Sequence, residues 1–248
     1  MFEPRLALAS LSGHSDAEWA KQGAPYAGCA FLGGLSIDEA TRAASRGMVD
    51  RDREEFLPAD PSRFLISQLR ALAGEPIRSA VNVRSATLVP LEDVADLCRD
   101  HGAILEINAH CRQEEICAAG SGEHLLTQPG KLCKQVEAAT ATGATVSVKV
   151  RAEVDGVDLP ALAQRLARSG ADAIHIDAMD TPGVVADVSM AANLFIIANN
   201  GVRDASSARE YFEHGADAVS VGRPSDDTAV LERLHAATTD IREEELNP

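Results

Sequence analysis

The sequence predicts an α/β fold, a single (β/α)8 TIM barrel, on three observations. Its 248 residues are close to the ~250 typical of one such barrel. Short β-rich apolar runs alternate with helical segments from end to end, the pattern of a parallel α/β fold. The strand–helix units reach eight and no GxGxxG fingerprint follows the first strand, which sets a closed barrel ahead of the alternative, an open doubly wound sheet.

In chain order the strands fall near 5–11 (RLALASL), 26–31 (YAGCAF), 77–83 (IRSAVNV), 103–107 (AILEI), 145–150 (TVSVKV), 172–177 (DAIHID), 194–199 (LFIIAN) and 217–221 (DAVSV). Helices are read between them, among them 60–73, 90–101, 129–142, 158–169 and 204–214. Asp158 and Pro160 supply an N-cap acid and an early proline, and Ser169-Gly170 closes that helix. Ser-Gly-Ala-Asp-Ala-Ile at 169–174 and His-Gly-Ala-Asp-Ala-Val at 214–219 each mark a helix end running into a strand. The charged stretch 47–59 (GMVDRDREEFLPA) reads as a βα-loop insertion. No linker divides the chain, so one domain is expected over 1–248, with a flexible tail at 240–248.

Alternation along barrel strands separates helix-facing from interior residues. Val146, Val148 and Val150 face out, leaving Ser147, Lys149 and Arg151 inside; Ile174 and Ile176 face out, leaving His175 inside. Leu105 and Ile107 face out with Glu106 and Asn108 inside, and Val81 and Val83 face out with Asn82 inside. Four strands thus send Asn82, Asn108, Lys149 and His175 toward one end of one cavity, where barrel enzymes keep their chemistry. A strand histidine is easily accommodated as a structural residue, whereas a buried lysine needs a reason, because an unpaired ammonium is costly to desolvate.

The last two strands end in IIANNGVRD and AVSVGRP. Glycine turns after strands 7 and 8 are where barrels bind phosphate, and Asn200-Gly201 and Gly222-Arg223 fit that place, with Arg223 offering a guanidinium fork.

The net charge is −15, from 38 acidic and 23 basic residues, and lysine occurs only at Lys21, Lys131, Lys134 and Lys149. Such an acidic, lysine-poor surface resembles that of proteins from salt-loving organisms and argues against a generally basic nucleic-acid-binding face. The five cysteines, Cys29, Cys98, Cys111, Cys117 and Cys133, lack the spacing of a zinc site. Free thiols, no metal, no long apolar run and no signal pattern lead to a cytoplasmic expectation with no membrane segment.

In order, LASLSGHSD (8–16), ILEINAHC (104–111), AAGSGEHLL (118–126), VSVKVR (146–151), AIHID (173–177), IIANNGVRD (196–204) and AVSVGR (218–223) resemble the barrel of the dihydrouridine synthases, flavin enzymes that reduce uridine in transfer RNA. The resemblance implies FMN as cofactor and a nicotinamide, NADPH or NADH, as electron donor. It places Ala9, Ser10 and Leu11 against the flavin ring, Asn82 at its edge, Lys149 as the flavin-contacting lysine and His175 beside the flavin. Asn200, Gly201, Gly222 and Arg223 would hold the FMN phosphate. Asn108 and Cys111 resemble the family's Asn-x-Gly-Cys-Pro loop, whose cysteine is a general acid. The catalytic set is then Cys111, Lys149 and His175.

The chain departs from that pattern. Gly-Cys-Pro reads His110-Cys111-Arg112, the usual Pro-Met after strand 1 reads Ser10-Leu11, and the chain ends at IREEELNP without a counterpart of the family's C-terminal helical RNA-binding domain. The leading expectation is an FMN-dependent oxidoreductase reducing the C=C bond of a uracil-like ring, uridine in tRNA, with a proton from Cys111. The alternatives are an FMN-dependent enzyme of a small pyrimidine-like substrate, of the dihydroorotate or dihydropyrimidine dehydrogenase type, a flavin-free Schiff-base lyase or aldolase using Lys149, and a non-catalytic barrel. Whether the arginines at 42, 46, 51, 53, 63, 70, 78 and 84 gather into one basic patch, and what the oligomeric state is, sequence leaves open.

Overall fold

The computed structural model of the protein describes residues 1–178 and 180–246. In order these are β1 (Leu6–Leu8), α1 (Ala17–Gly23), β2 (Cys29–Ser36), α2 (Glu39–Val49), α3 (Pro61–Ala71), β3 (Arg78–Arg84), α4 (Val89–Asp100), β4 (Ile104–Asn108) and α5 (Glu114–Ala118). There follow α6 (Pro129–Ala141), β5 (Thr145–Arg151), α7 (Leu159–Arg168), β6 (Ala173–Asp177), α8 (Val184–Ala191), β7 (Phe195–Asn199), α9 (Ala205–Glu213), β8 (Ala218–Val221) and α10 (Thr228–Leu246). Short 3-10 helices lie at Gly122–Thr127 and Arg223–Asp226.

The strands form a closed barrel in sequential order, all parallel, with β1 pairing β8. The expected (β/α)8 TIM barrel is therefore the observed fold, and the chain is one domain. The largest boundary difference is β2, which runs on to Ser36 because the ladder with β3 absorbs a register shift between Gly33 and Leu35. The charged stretch is not a βα loop: helix α2 takes 47–49, and 50–60 join α2 to α3. Of the expected tail at 240–248, residues 240–246 continue α10, and 247 and 248 lie outside the described residues.

Local chemistry sets many of the helix starts. Asp16, Asp38, Asp60, Asp158 and Asp204 each cap a helix by accepting a backbone N–H from inside its first turn. Alternation then divides the strands. Val81, Val83, Leu105, Ile107, Val146, Val148, Val150, Ile174 and Ile176 all pack outward into the large core shared with the helices.

The barrel interior is graded. Phe2, Ala7, Cys29, Phe31, Ala80, Ile104, Ile197 and Ala218 form a separate apolar plug at the N-terminal end of the strands. Above it lie buried polar groups, Asn82, Glu106, Asn108, Ser147, Lys149, His175 and Ser220. Because barrel strands tilt, a row of ladder partners descends as it crosses the wall. Asn108 partners Lys149, Lys149 partners His175, His175 partners Ile197 and Ile197 partners Ala218, so one row runs from the mouth to the plug. No helix among the described residues is long and apolar enough to cross a membrane.

Candidate active site

The floor of the site is built around Glu106, which is fully buried. Its Oε1 accepts a hydrogen bond from Asn82 Nδ2 at 2.7 Å, and its Oε2 lies 2.8 Å from His175 Nδ1 and accepts from Ser147 Oγ at 3.3 Å. Asn82 Oδ1 in turn accepts from Asn108 Nδ2 at 2.8 Å, and His175 Nε2 meets Ser220 Oγ at 2.7 Å. Burial pushes the pKa of His175 down, with Glu106 opposing the fall. The ring is therefore neutral at neutral pH and donates Nδ1–H to Glu106. A desolvated carboxylate needs such donors and a nearby cation. Lys149, 3% exposed, supplies the charge. Its own pKa is lowered by burial, with Glu106 and Asp177 pulling the other way.

Lys149 also reaches upward, into two adjoining cavities at the C-terminal ends of the strands. The first, of about 530 Å³, is walled by Ala9, Ser10 and Leu11 on one side and by Asn200, Gly201, Gly222 and Arg223 on the other. Asn200 and Gly201 both take left-handed conformations, φ 76° and 74°, so the turn curls its backbone toward the cavity. A Cβ on Gly201 or Gly222 would meet protein at no less than 3.7 Å, so each glycine keeps open space that a side chain would fill. The N–H groups of Gly222 and Arg223 have no acceptor among the described residues. By contrast, the N-terminus of α9 is closed by its own Asp204, in a capping box with Ser207. The groups here that could meet an anion are the turn amides, Arg223 and a residue the sequence reading passed over, Arg203, which lines the same wall.

The second cavity, of about 690 Å³, is the mouth, lined by Lys149, Asn108, His110 and Cys111 among others. Asn108 Oδ1 accepts from the backbone N–H of both His110 and Cys111, at 3.1 and 2.9 Å, which pins the loop leaving β4. Across the loop, Cys111 O accepts from Glu123 N at 2.8 Å. Gly122, at φ 61°, makes that approach possible, since a Cβ there would stand 2.2 Å from Cys111 O. Cys29, Cys98 and Cys133 are buried, and burial pushes the Cys98 thiol up to about 12. Cys111 is half-buried, at the mouth.

The structure therefore brings Ala9, Ser10, Leu11, Asn108, Cys111, Lys149, Asn200, Gly201, Gly222 and Arg223 to the walls of the two cavities. Asn82 and His175 line neither one; both lie in the floor below. The sequence reading placed Glu106 inside without giving it a role, and it missed a pair at the mouth. His110 Nε2 lies 2.6 Å from Asp177 Oδ2, and Asn200 Nδ2 donates to Asp177 Oδ1 at 3.1 Å. The signal for Asp177 was present, two residues beyond the inward His175 on the same strand, but its partner comes from the loop after β4.

Comparison with known proteins identifies a family and a shared fold. A family model described as dihydrouridine synthase (Dus) matches residues 73–247. An uncharacterised protein of Methanocaldococcus jannaschii is 26% identical over 232 residues, covering 89% of each chain. A protein of Rhodobacter capsulatus named "Probable tRNA-dihydrouridine synthase" is 27% identical over 236 residues, covering 89% of this chain and 67% of that one. Among solved structures, FabK from Thermotoga maritima superposes with a TM-score of 0.59 at 17% identity, covering 89% of this chain and 58% of that chain. A mutant of the same protein gives 0.60 at 17% identity, covering 90% and 63%. The chain spans less than two thirds of these FabK chains, and the likeness shows a shared barrel fold. Because the family model spans well over half of the sequence, including the strands that carry Lys149 and both glycine turns, the chain belongs to the dihydrouridine synthase family.

Proposed function

We propose that the protein is an FMN-dependent reductase that adds two hydrogens across the C=C bond of a uracil-like ring, with uridine in tRNA as substrate and NADPH or NADH as electron donor. The observation that carries this reading is the buried Lys149, set between a glycine-lined anion cradle and a cysteine-bearing loop. These residues fit FMN. The amides of Gly222 and Arg223, with the Arg223 and Arg203 guanidinium groups, suit its phosphate, and the Ala9–Leu11 wall with Lys149 suits its ring. FMN, when bound, supplies a hydride to one carbon of the substrate double bond.

The chain's own residues do the rest. Lys149 would offer its amine to the flavin ring, and Glu106 beneath it opposes the fall in the Lys149 pKa that burial causes. Asn82 and His175 hold Glu106 in place. Asn108 fixes the Cys111 backbone, and the Cys111 thiol would give a proton to the other carbon of the double bond.

An absorbance spectrum of the purified protein, followed by titration with FMN and then NADPH, tests this directly. A bound flavin band that bleaches with NADPH is the expected result, and tenfold or greater weakening of FMN binding is expected in Lys149→Ala, about 1.4 kcal/mol or more. Protein that takes up no flavin, together with borohydride trapping of a carbonyl substrate on Lys149, would replace this reading with the Schiff-base alternative.

A further inference from the structure

Where the family's loop carries glycine, this chain carries His110, and the ring lies on the wall common to both cavities. It is held from two sides. Nε2 is 2.6 Å from Asp177 Oδ2, and the His110 N–H donates to the same Asn108 oxygen that fixes Cys111. Asp177 is itself anchored by Asn200 Nδ2. Unlike His175, whose two ring nitrogens are both engaged in the sealed floor, the His110 side chain is 27% exposed and faces the mouth.

We infer that His110, oriented by Asp177, is a proton relay that recharges Cys111 from solvent; the inference rests on Cys111 being the acid of the proposed reduction. With Asp177 ionised, Nε2 carries the hydrogen of the Asp177 contact, which leaves Nδ1 as an acceptor. In the proposed step the Cys111 S–H bond breaks as the substrate C–H bond forms, leaving a thiolate. Nδ1 takes a proton from a hydronium ion, Asp177 stabilises the imidazolium, and the ring passes the proton to the thiolate and returns to neutral. One solvent proton is consumed per turnover.

Asp177 from β6 and Lys149 and Arg151 from β5 act on the ring, as does His175 below it, and the other titratable or charged groups lining the same mouth are Cys111, Arg112, Arg223, His14, Arg53, Glu54, Arg84 and Asp226. Burial lowers the His110 pKa most, Asp177 opposes this, and Lys149 and Arg151 add to the lowering. The resting ring is thus neutral and ready to accept.

The test uses FMN-loaded protein and three variants, His110→Gly, His110→Gln and Asp177→Asn, each first checked for FMN binding and reduction by NADPH. Alkylation of Cys111 by iodoacetamide is followed by peptide mass spectrometry between about pH 5 and 9. Two inflections are expected in the parent protein, one in both His110 variants, and a downward move of the lower inflection in Asp177→Asn. With an unmodified tRNA transcript, His110→Gly should lose about 100-fold in kcat with KM nearly unchanged, and free imidazole should restore activity in the space that the ring vacates. A single inflection shared by parent and His110→Gly, or an unchanged kcat, overturns the relay. Failure to bind flavin instead overturns the proposed function and leaves the alkylation profile to judge the relay alone.

Discussion

At the scale of single residues, the site depends on one charge pairing inside the barrel. Lys149 and Glu106 are each 3% exposed or less, and each makes the burial of the other tolerable. Removing Glu106 strands Lys149 without its counter-charge and leaves Asn82, Ser147 and His175 without an acceptor. Glu106→Ala is therefore expected to lose about 3–5 kcal/mol of stability, read from urea unfolding. Glu106→Gln, which keeps the shape and one of the two acceptor oxygens, should lose less. Strand alternation made the inward direction of Asn82, Asn108, Lys149 and His175 legible in the sequence, but it does not report depth. Asn108, Lys149 and His175 share one ladder row, yet strand tilt puts Asn108 at the mouth, Lys149 on the wall and His175 in the floor.

At the scale of elements, two devices hold the loops that carry the chemistry. Asp38 caps α2 through Thr41 N at 2.9 Å, and its other oxygen accepts from Ser85 Oγ at 3.0 Å, Ala86 N at 2.5 Å and Thr87 N at 2.9 Å, which ties the loop after β3 to the loop after β2. Asp38→Ala removes a cap and strands several buried donors, an expected loss of about 3 kcal/mol from the two effects together. A shift of the urea midpoint under a third of that size would show that the loops re-pair without it. The second device is Gly122. Gly122→Ala combines a left-handed backbone with a Cβ 2.2 Å from Cys111 O, so the Cys111 loop must move. The expected outcome is a fall in kcat of tenfold or more with FMN affinity unchanged, because the proposed flavin cradle lies on the other side of the barrel mouth. The family loop's own glycine and proline are missing from this chain, yet Gly122 accommodates the turn from a distant position in sequence.

At the scale of the whole molecule, charge and protonation set the working conditions. A net charge of −15 makes the folded chain repel itself, and salt screens that repulsion. The melting temperature is expected to rise from low to molar KCl, by roughly 2–4 °C for each kcal/mol recovered; a flat response would mean that ion pairs already balance the surface. His175 in the floor and the part-buried His110 impose a pH dependence of known sign. His110 and His175 both have folded pKa values below the ordinary 6.5, so the unfolded chain takes up protons first as pH falls through that value. Their contribution is complete above it and is lost below it, at up to about 1.4 kcal/mol per pH unit for each ring. Urea midpoints measured in high salt on either side of that value should be lower on the acid side, and a higher acid-side midpoint would reverse the assignment. The arginines of the early βα units divide between the mouth cavity, which Arg53 and Arg84 line, and other places. Arg46 pairs with Glu39 and Arg51 with Glu115, Arg78 bonds Met1 O at the opposite end of β3, and Arg84 is sunk against Glu55 at 2.6 Å.

The sequence alone determined the barrel, the residues facing its interior, and the pair of glycine turns at its mouth. Each of these follows from local rules, since periodicity, capping and turn chemistry act over a few neighbouring residues. Only the tertiary structure decided the depth of each inward residue, the pairing of Glu106 with His175 and of His110 with Asp177, and the use of Gly122 to shape the Cys111 loop. Those depend on strand tilt and barrel closure, which bring together residues that no local spacing in the chain relates.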